Sequence, residues 1–494
     1  MFLFACSSSG GDAQGAGGAT TFGGAGPVGA GGTGVGGVGV STGGTSYAGS
    51  GNTPVGAGGT IGAGGSNGGT GAVISGGGTG AVGAGGGSAG MAVGGSAGAG
   101  AGGAGAGGAA GGTGIGCPGQ NLAAVPADTS MRGPWAVGVK TVHIGRLTIE
   151  ITYPAQAGSE AGKPPVTYDT RDWLPKNATQ GAGFTPIADS ESPAVQPLNG
   201  PIYRDLPLDA THGPYPVIIF MHGTASFRVA SGTAQATWAS RGFVVVAADY
   251  PGLFLGDQLC TSGCGCAATG AADYPGDFKL QTDALTAGTG DVAFLKGHVD
   301  MAHIGFAGHS VGGCTVVTQA DTTGASVVIG LSSAAPIMST GGKLKSLMFM
   351  SGMSDTVFNY ASGGGLGNFV CPGATGAVTD AYKASTGATK TRLVGVTNGG
   401  HLTPTDLCQK NADGNNAIQV LHNHHWCGVD AVAIVGLPTL FDCGANGFDY
   451  KVGVTDTIYA TTAAFEETLT CTDRTAAFMN IKTAETTIGD FQTK

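Results

Sequence analysis

Apolar runs separated by turn signals recur along the chain from about residue 141 onward. The runs at 216–221 and 242–248 contain no charged or amide side chain, a pattern typical of strands buried on both faces of a sheet. Segment 141–153 alternates instead, which predicts an early antiparallel strand pair. This order of elements predicts an α/β fold with a mostly parallel, doubly wound sheet. Further strands are predicted at 304–307, 327–331, 347–350 and 391–396, and helices at 230–241, 283–297 and 311–322.

Residues 7–116 carry no such pattern. The chain of 494 residues has 98 glycines, the majority of them here, and the only charged residue of this segment is Asp12. Its small side chains have too little volume to bury, so they cannot offset the entropy of ordering the backbone. We therefore predict a disordered, flexible linker. An ordered Gly-rich bundle or a collagen-like rod is the alternative, which the low proline content and the lack of a strict three-residue period disfavour.

The first residues, MFLFAC, resemble the lipobox of bacterial lipoproteins, in which a small residue precedes a lipidated cysteine. We expect Cys6 to be lipidated and residues 1–6 to be a truncated signal remnant whose true start lies upstream, because no basic region precedes the short apolar stretch. The alternative is a short hydrophobic start to a disordered tail. Lipidation would place the protein at the outer membrane or cell surface, and without it the protein would be secreted. The linker would give the folded part, 117–494, an r.m.s. reach of about 60 Å.

The pattern G-x-S-x-G, which marks the strained turn of a serine nucleophile, occurs five times. Four matches follow from glycine content alone, because the linker predicts no strand before them and no helix after them. Ser310 differs, since a predicted strand precedes it and a predicted helix follows it. We therefore predict that Ser310 is the nucleophile, with the N–H groups of the helix start favouring a developing oxyanion. The four other serines are Ser41, Ser66, Ser88 and Ser96.

A serine nucleophile needs a base, and the base needs a carboxylate that orients it. Asp355 and His401 each follow a predicted strand and a glycine turn, in the chain order Ser, Asp, His. Their side chains should emerge at the same edge of the sheet as Ser310. Asp380 is the reserve acid, although it follows a Gly-rich loop and no clear strand. His309 is interpreted as structural, because it is part of the turn itself.

These segments closely resemble the α/β-hydrolase superfamily over about residues 130–480, namely PVIIFMHG, WASRGFVVVAADYPG, IGFAGHSVGG, SGMSD and GGH. Within it, the chain is most similar to the branch of dienelactone hydrolases, platelet-activating-factor acetylhydrolase-like esterases, chlorophyllases and bacterial cutinases. The resemblance implies a serine acyl-enzyme mechanism with Ser310, Asp355 and His401 as the triad, and no cofactor. The segment at 221–224 resembles the His-Gly stretch of an oxyanion hole, so the donors would be the backbone N–H groups of Thr224 and Val311.

Two cysteine-containing segments, 259–270 and 402–449, depart from the resemblance, and we expect both to shape the substrate cleft. Eleven cysteines fit an exported protein, in which most would pair with a connectivity that sequence does not give. Cys314 is interpreted as a buried free thiol. The cluster HNHHWC at 422–427 has zinc-ligand chemistry, but adjacent histidines diverge in direction, so no metal is expected.

The function predicted is a serine carboxylic ester hydrolase acting on small or short-acyl esters, because no long apolar lid is recognisable. A cutinase-like polyester hydrolase is the alternative within the class. A catalytically inactive surface binding protein on a hydrolase scaffold is the alternative from another class, which the intact triad residues disfavour. Peptidase or lyase chemistry also stays open, because a triad does not choose its leaving group. We expect a monomer that meets membranes only through Cys6, and the net charge of −10 disfavours nucleic acid as a partner.

Overall fold

A computed structural model describes residues 115–192, 194–338, 341–361, 371, 373–431 and 442–494. The predicted signal remnant, its Cys6 and nearly all of the predicted linker lie outside the described residues. The strands in the described residues are β1 (Ala136–Ile144), β2 (Leu147–Ala155), β3 (Tyr168–Asp169), β4 (Ala194–Val195), β5 (Tyr203–Arg204), β6 (Tyr215–Met221), β7 (Val244–Asp249), β8 (Val299–His309), β9 (Val327–Leu331), β10 (Ser346–Gly352), β11 (Lys390–Val396) and β12 (Ile488–Thr493).

Ten of these strands form one mixed sheet in the order β12-β11-β10-β9-β8-β6-β7-β2-β1-β5. The six central strands from β11 to β7 are parallel, as the alternation of strands and helices predicts. β2 pairs antiparallel with both β7 and β1, and the β1–β2 hairpin is the antiparallel pair predicted from 141–153. β12 runs antiparallel along the opposite edge. The architecture is the predicted α/β-hydrolase fold.

Strands β6 and β7 carry almost only apolar residues because each face of the sheet packs against its own core. In β6, Ile218 and Phe220 belong to one core, whereas Val217, Ile219 and Met221 belong to the other. Helices cover both faces, so β6 is buried along its whole length. The α-helices in the described part of the chain are α1 (Gly232–Ser240), α2 (Leu255–Leu259), α3 (Tyr274–Ala287), α4 (Val311–Thr318), α5 (Ala320–Thr323), α6 (Val378–Ala384), α7 (Ala417–Asn423), α8 (Tyr450–Leu469), α9 (Thr475–Met479) and α10 (Ile481–Ala484).

The helix predicted at 283–297 is wrong in its bounds. α3 begins earlier, because the Asp273 side chain accepts a hydrogen bond from the Gly276 N–H and Pro275 occupies the first turn. It ends at Ala287, because Gly288 adopts a left-handed conformation with φ 57° and caps the helix. A short 3₁₀ helix, Gly290–Leu295, fills most of the remaining predicted range. The helix predicted at 311–322 is likewise two helices, α4 and α5, because Gln319 leaves the helical conformation.

Every cysteine from Cys117 onward is paired, and the interpretation of Cys314 as a free thiol is wrong. Cys314, in α4, forms a disulfide bond with Cys371. Cys371 lies in a loop, and no pattern of strands or helices in the sequence predicts that this loop approaches α4. Among the described residues, no helix has both the length and the apolarity that crossing a bilayer requires. The disulfides are Cys117–Cys471, Cys260–Cys266, Cys264–Cys427, Cys314–Cys371 and Cys408–Cys443.

Candidate active site

Ser310 lies between β8 and α4, at the edge where the parallel strands end. Its backbone has φ 56° and ψ −123°, a conformation that costs a non-glycine residue of order 1–3 kcal/mol unless its surroundings impose it. The Ser310 N–H donates to the carbonyl oxygen of Leu331, at the end of β9, at 2.9 Å. The predicted strand–turn–helix geometry around Ser310 is therefore present.

The glycines of the motif are required by close backbone contacts. A Cβ atom on Gly312 would lie 2.3 Å from the carbonyl oxygen of Met221, and one on Gly308 would lie 2.4 Å from the backbone of Gly312. Real Cβ atoms do not approach other atoms so closely. The turn can therefore pack against the end of β6 only when both positions lack a side chain.

His401 and Asp355 reach the same edge on two neighbouring loops. Asp355 follows β10, and His401 follows β11. The Ser354 N–H donates to the carbonyl oxygen of Gly399 at 2.9 Å, which ties the two loops together. This contact needs a glycine at 352, because a Cβ there would lie 2.1 Å from the same carbonyl oxygen.

The three predicted side chains form one hydrogen-bonded chain. His401 Nδ1 lies 3.0 Å from Asp355 Oδ2, and His401 Nε2 lies 3.0 Å from Ser310 Oγ. Because the Asp355 carboxylate can only accept, Nδ1 carries the proton and donates it. Nε2 is then a free acceptor, so the Ser310 hydroxyl donates to it. Proton transfer from Ser310 to His401 thus needs no rearrangement of the imidazole.

Asp355 is buried, yet its surroundings favour the ionised form. Burial alone would raise its pKa, but the charge and hydrogen bond of His401 and the N–H groups of Phe358 and Val357 hold it below the usual value. Those two N–H groups donate to Oδ1 at 3.0 and 2.8 Å. The Ser351 hydroxyl also donates to Oδ2, at 3.2 Å. The carboxylate is therefore fixed in place and charged.

His309, the last residue of β8, supports the backbone of His401. Its Nε2 donates to the His401 carbonyl oxygen at 2.9 Å, in agreement with its interpretation as structural. Burial, followed by the charge of His401, lowers the pKa of His309 to about 3. His309 is thus neutral near pH 7. On the other side, the ring of Phe358 stacks at 5.9 Å from the His401 ring and keeps that face apolar.

The segment with the predicted oxyanion donors lies directly against Ser310. A Cβ on Gly223 would lie 2.9 Å from Ser310 Cβ, so Thr224 begins beside Ser310. Val311 is the first residue of α4, and a helix leaves the N–H groups of its first turn without intrahelical acceptors. Both predicted donors, Thr224 and Val311, therefore border the position where a tetrahedral intermediate on Ser310 would form.

Residues 129–251 match the family model described as platelet-activating factor acetylhydrolase, isoform II. The match covers the strands from β1 to β7. The folded region has the α/β-hydrolase fold. A search of curated proteins finds no match to the chain. The family match supports a hydrolase of the lipase or esterase type, and it ends before Ser310, so the roles of Ser310, Asp355 and His401 rest on their geometry in this chain.

Two other groups of candidate residues lie outside the active site of the hydrolase. Asp380 is on α6 at the surface, where it pairs with Lys383 at 3.3 Å, so it does not serve as the reserve acid. In the segment 422–427, His422 pairs with Asp430, and His424 binds the side chain of Thr185. Cys427 is in a disulfide. A further set of possible metal ligands, Cys117, His303 and Cys471, includes two cysteines bonded to each other.

The helix that leads into the cysteine-containing segment 259–270 contacts the loop that carries Thr224. The Leu255 N–H donates to the Ser226 carbonyl oxygen at 2.8 Å, at the start of the helix that leads into this segment. Cys260–Cys266 closes the segment on itself, and Cys264–Cys427 joins it to the region after His401. The two departures from the superfamily pattern are thus covalently connected.

Sequence reasoning missed the groups that hold the oxyanion loop. His222 Nε2 accepts the Tyr250 N–H at 3.2 Å and links the loop to the end of β7. The Arg228 N–H donates to Asp249 Oδ1 at 2.8 Å, and its guanidinium also binds Asp249 and the buried Glu150. The strand pattern of the sequence predicts that Asp249 lies at the end of a strand. No feature of the sequence predicts that it pairs with Arg228.

We predict that Gly312→Ala destabilises the hydrolase and displaces Ser310, because the new Cβ collides with the Met221 carbonyl oxygen. Overpacking of this kind costs about 1–3 kcal/mol. The midpoint temperature of thermal unfolding and the extent of labelling by a fluorophosphonate probe should both decrease. Gly181→Ala is the matched control, because Gly181 is exposed and a Cβ there meets nothing within 4 Å. Equal stability and labelling of the two variants would contradict the role given to Gly312.

Proposed function

We propose that the chain is a serine carboxylic ester hydrolase that acts through an acyl-enzyme. The observation that carries this proposal is the continuous hydrogen-bonded chain from Ser310 through His401 to Asp355. All three residues are at most 4% exposed, so water competes little with these hydrogen bonds. The family match supports a hydrolase of the lipase or esterase type, and we therefore propose that the bond cleaved is an ester.

In the first half-reaction, the Ser310 oxygen attacks the ester carbonyl carbon while its proton passes to His401 Nε2. The carbonyl oxygen becomes an oxyanion, which the N–H groups of Thr224 and Val311 would stabilise. Asp355 stays ionised and stabilises the imidazolium without taking its proton. When the tetrahedral intermediate collapses, the bond to the alcohol oxygen breaks. His401 then gives its proton to the departing alcohol.

In the second half-reaction, His401 removes a proton from water, and the resulting hydroxide equivalent attacks the acyl-enzyme. Collapse of this second intermediate breaks the bond to Ser310 Oγ, which takes the proton back from His401. The products are a carboxylic acid and an alcohol, and the enzyme returns to its starting state. Every group named here belongs to the chain, so the cycle as written consumes only ester and water.

The same geometry weighs against a catalytically inactive binding protein. A scaffold without catalysis has no need for a strained serine, a buried carboxylate and an imidazole held in the reactive tautomer. The backbone strain at Ser310 is a cost that folding alone does not require. Peptide bond cleavage uses the same groups, and the family match favours esters instead.

We predict that Ser310→Ala abolishes fluorophosphonate labelling and lowers kcat for p-nitrophenyl ester hydrolysis by at least about 10⁴-fold, because the nucleophile is lost. The control replaces the four linker serines, Ser41, Ser66, Ser88 and Ser96, by alanine together. That variant should label and turn over like the wild type. Labelling that survives Ser310→Ala would refute the assignment of the nucleophile.

The proposed substrates are small esters with short acyl chains. The Ser310 residue is only 4% exposed, so an ester must enter a restricted approach to reach it. An ester bond in a polymer surface could reach Ser310 only through an open, shallow cleft. This observation favours small esters over the cutinase-like alternative.

A panel of p-nitrophenyl esters with increasing acyl length, run beside a polyester film, tests the substrate class. We expect kcat/KM to be highest for acetate and butyrate and to decrease for longer chains, and we expect no clearing of the film. Rapid film clearing with poor hydrolysis of the short esters would favour the polyester hydrolase instead. The Ser310→Ala variant serves as the blank for both substrates.

We also propose that the enzyme is exported and anchored through a lipid on Cys6, as a monomer. Five disulfides are compatible with an oxidising compartment, where such bonds persist. Expression of the full-length gene in a bacterium fed labelled palmitate should label the protein and direct it to the membrane fraction. Cys6→Ser should remove the label and release soluble, active enzyme. Label that persists in this variant would reject Cys6 as the anchor.

A further inference from the structure

A second carboxylate lies beside the candidate base. Asp442 is on the segment that precedes α8, and its side chain packs against the residue before His401. A Cβ on Gly400 would lie 2.5 Å from both Cγ and Oδ1 of Asp442. The Leu402 N–H donates to the Asp442 carbonyl oxygen at 3.0 Å. Asp442 therefore contacts the chain on both sides of His401.

Covalent and hydrogen bonds keep Asp442 in this place. Its neighbour Cys443 is bonded to Cys408, which lies on the segment that follows His401. The Gly444 N–H donates to Asp442 Oδ1 at 2.8 Å. Among the described residues, Asp442 forms no ion pair with a lysine or arginine, so its negative charge is not neutralised by a fixed cation.

The titratable groups that face Asp442 and His401 are few. Burial raises the pKa of Asp442, the Gly444 N–H opposes that shift, and the charges of Asp355 and His401 act in opposite directions on it. Asp442 is thus a second carboxylate within electrostatic reach of His401, the residue to which Asp355 is hydrogen-bonded. His309, whose ring centre is 4.9 Å from that of His401, is neutral near pH 7 because its pKa is about 3. His222 is also buried, and burial lowers its pKa.

We infer that Asp442 is a positioning residue that stabilises the protonated form of His401 through space, as a second carboxylate beside Asp355. This inference rests on the proposed function, in which His401 becomes positively charged in every transition state. Asp355 stabilises that charge through a hydrogen bond to Nδ1, and Asp442 does so from the backbone side. Opposite charges at short range favour the charged form of a group.

The consequence for the pH profile has a definite sign. Acylation needs neutral His401, and the Asp442 charge favours protonated His401, so this charge moves the acid limb of kcat/KM to higher pH. In Asp442→Asn, the amide oxygen can still accept from the Gly444 N–H, but the charge is absent. We expect the acid limb to move to lower pH by about half a unit. The plateau of kcat/KM should decrease about threefold, because the charged transition state loses the same stabilisation.

The test is the kcat/KM profile of p-nitrophenyl acetate between pH 5 and 9, for the wild type and two variants of the full chain. The second variant, Asp442→Ser, is smaller and also uncharged, so its limb must move in the same direction as that of Asp442→Asn. Asp413→Asn is the matched control, since Asp413 is an exposed acid in the same region between His401 and Asp442. The control should leave both limb and plateau unchanged.

The outcomes separate this inference from the proposed function. A lower plateau with an unmoved acid limb in both variants would assign Asp442 a structural role only and would overturn the inference. A limb that moves to higher pH would also overturn it. In both cases the enzyme is still an esterase dependent on Ser310. Failure of the proposed function gives a different result, namely a wild type without ester hydrolysis or with labelling that survives Ser310→Ala.

Discussion

The site depends on one close backbone contact, between the turn after β8 and the end of β6. Gly312 lies so near the carbonyl oxygens of Met221 and His222 that no side chain fits between them. The contact forces Ser310 into its positive φ and places Gly223 beside it. Ser310, the N-terminus of α4 and the loop after β6 are consequently positioned by the same few atoms. Loss of that contact would disturb all three at once, which a change in any single side chain of the triad would not.

The parallel sheet then determines where the other groups meet. Parallel strands end at one edge, so the loops after β6, β8, β10 and β11 are neighbours even though their residues are far apart in the chain. Asp355 and His401 gain their relative position from a second glycine contact, between Gly352 and the carbonyl of Gly399. Disulfide bonds then restrain segments further from Ser310. Cys264–Cys427 and Cys408–Cys443 hold loops near the site, while Cys314–Cys371 lies in one of the two cores on the sheet.

The sequence predicted the elements that depend on local pattern and missed those that depend on distant pairing. The strand at 327–331 has the predicted bounds, because five apolar residues between turn signals leave little choice. The helix predicted at 283–297 was misplaced, because capping by Asp273 and Gly288 outweighed its weak apolar pattern. The placement of Ser310, Asp355 and His401 was predictable, because each follows a strand and a glycine turn. The partner of Cys314 was not, since loop geometry alone brings Cys371 to it. Asp442 was hidden for the same reason.

The distribution of charge explains why the proposed reaction should protonate His401 and neither His309 nor His222. His309 and His222 are fully enclosed, and burial lowers the pKa of each. Nε2 of His309 donates to the carbonyl oxygen of His401, and Nε2 of His222 accepts the N–H of Tyr250. A positive charge on His309 would oppose one on His401, so its neutrality removes a competitor. With Asp355 and Asp442 as the nearby carboxylates, the field at this edge favours positive charge at one place, the ring that contacts Ser310.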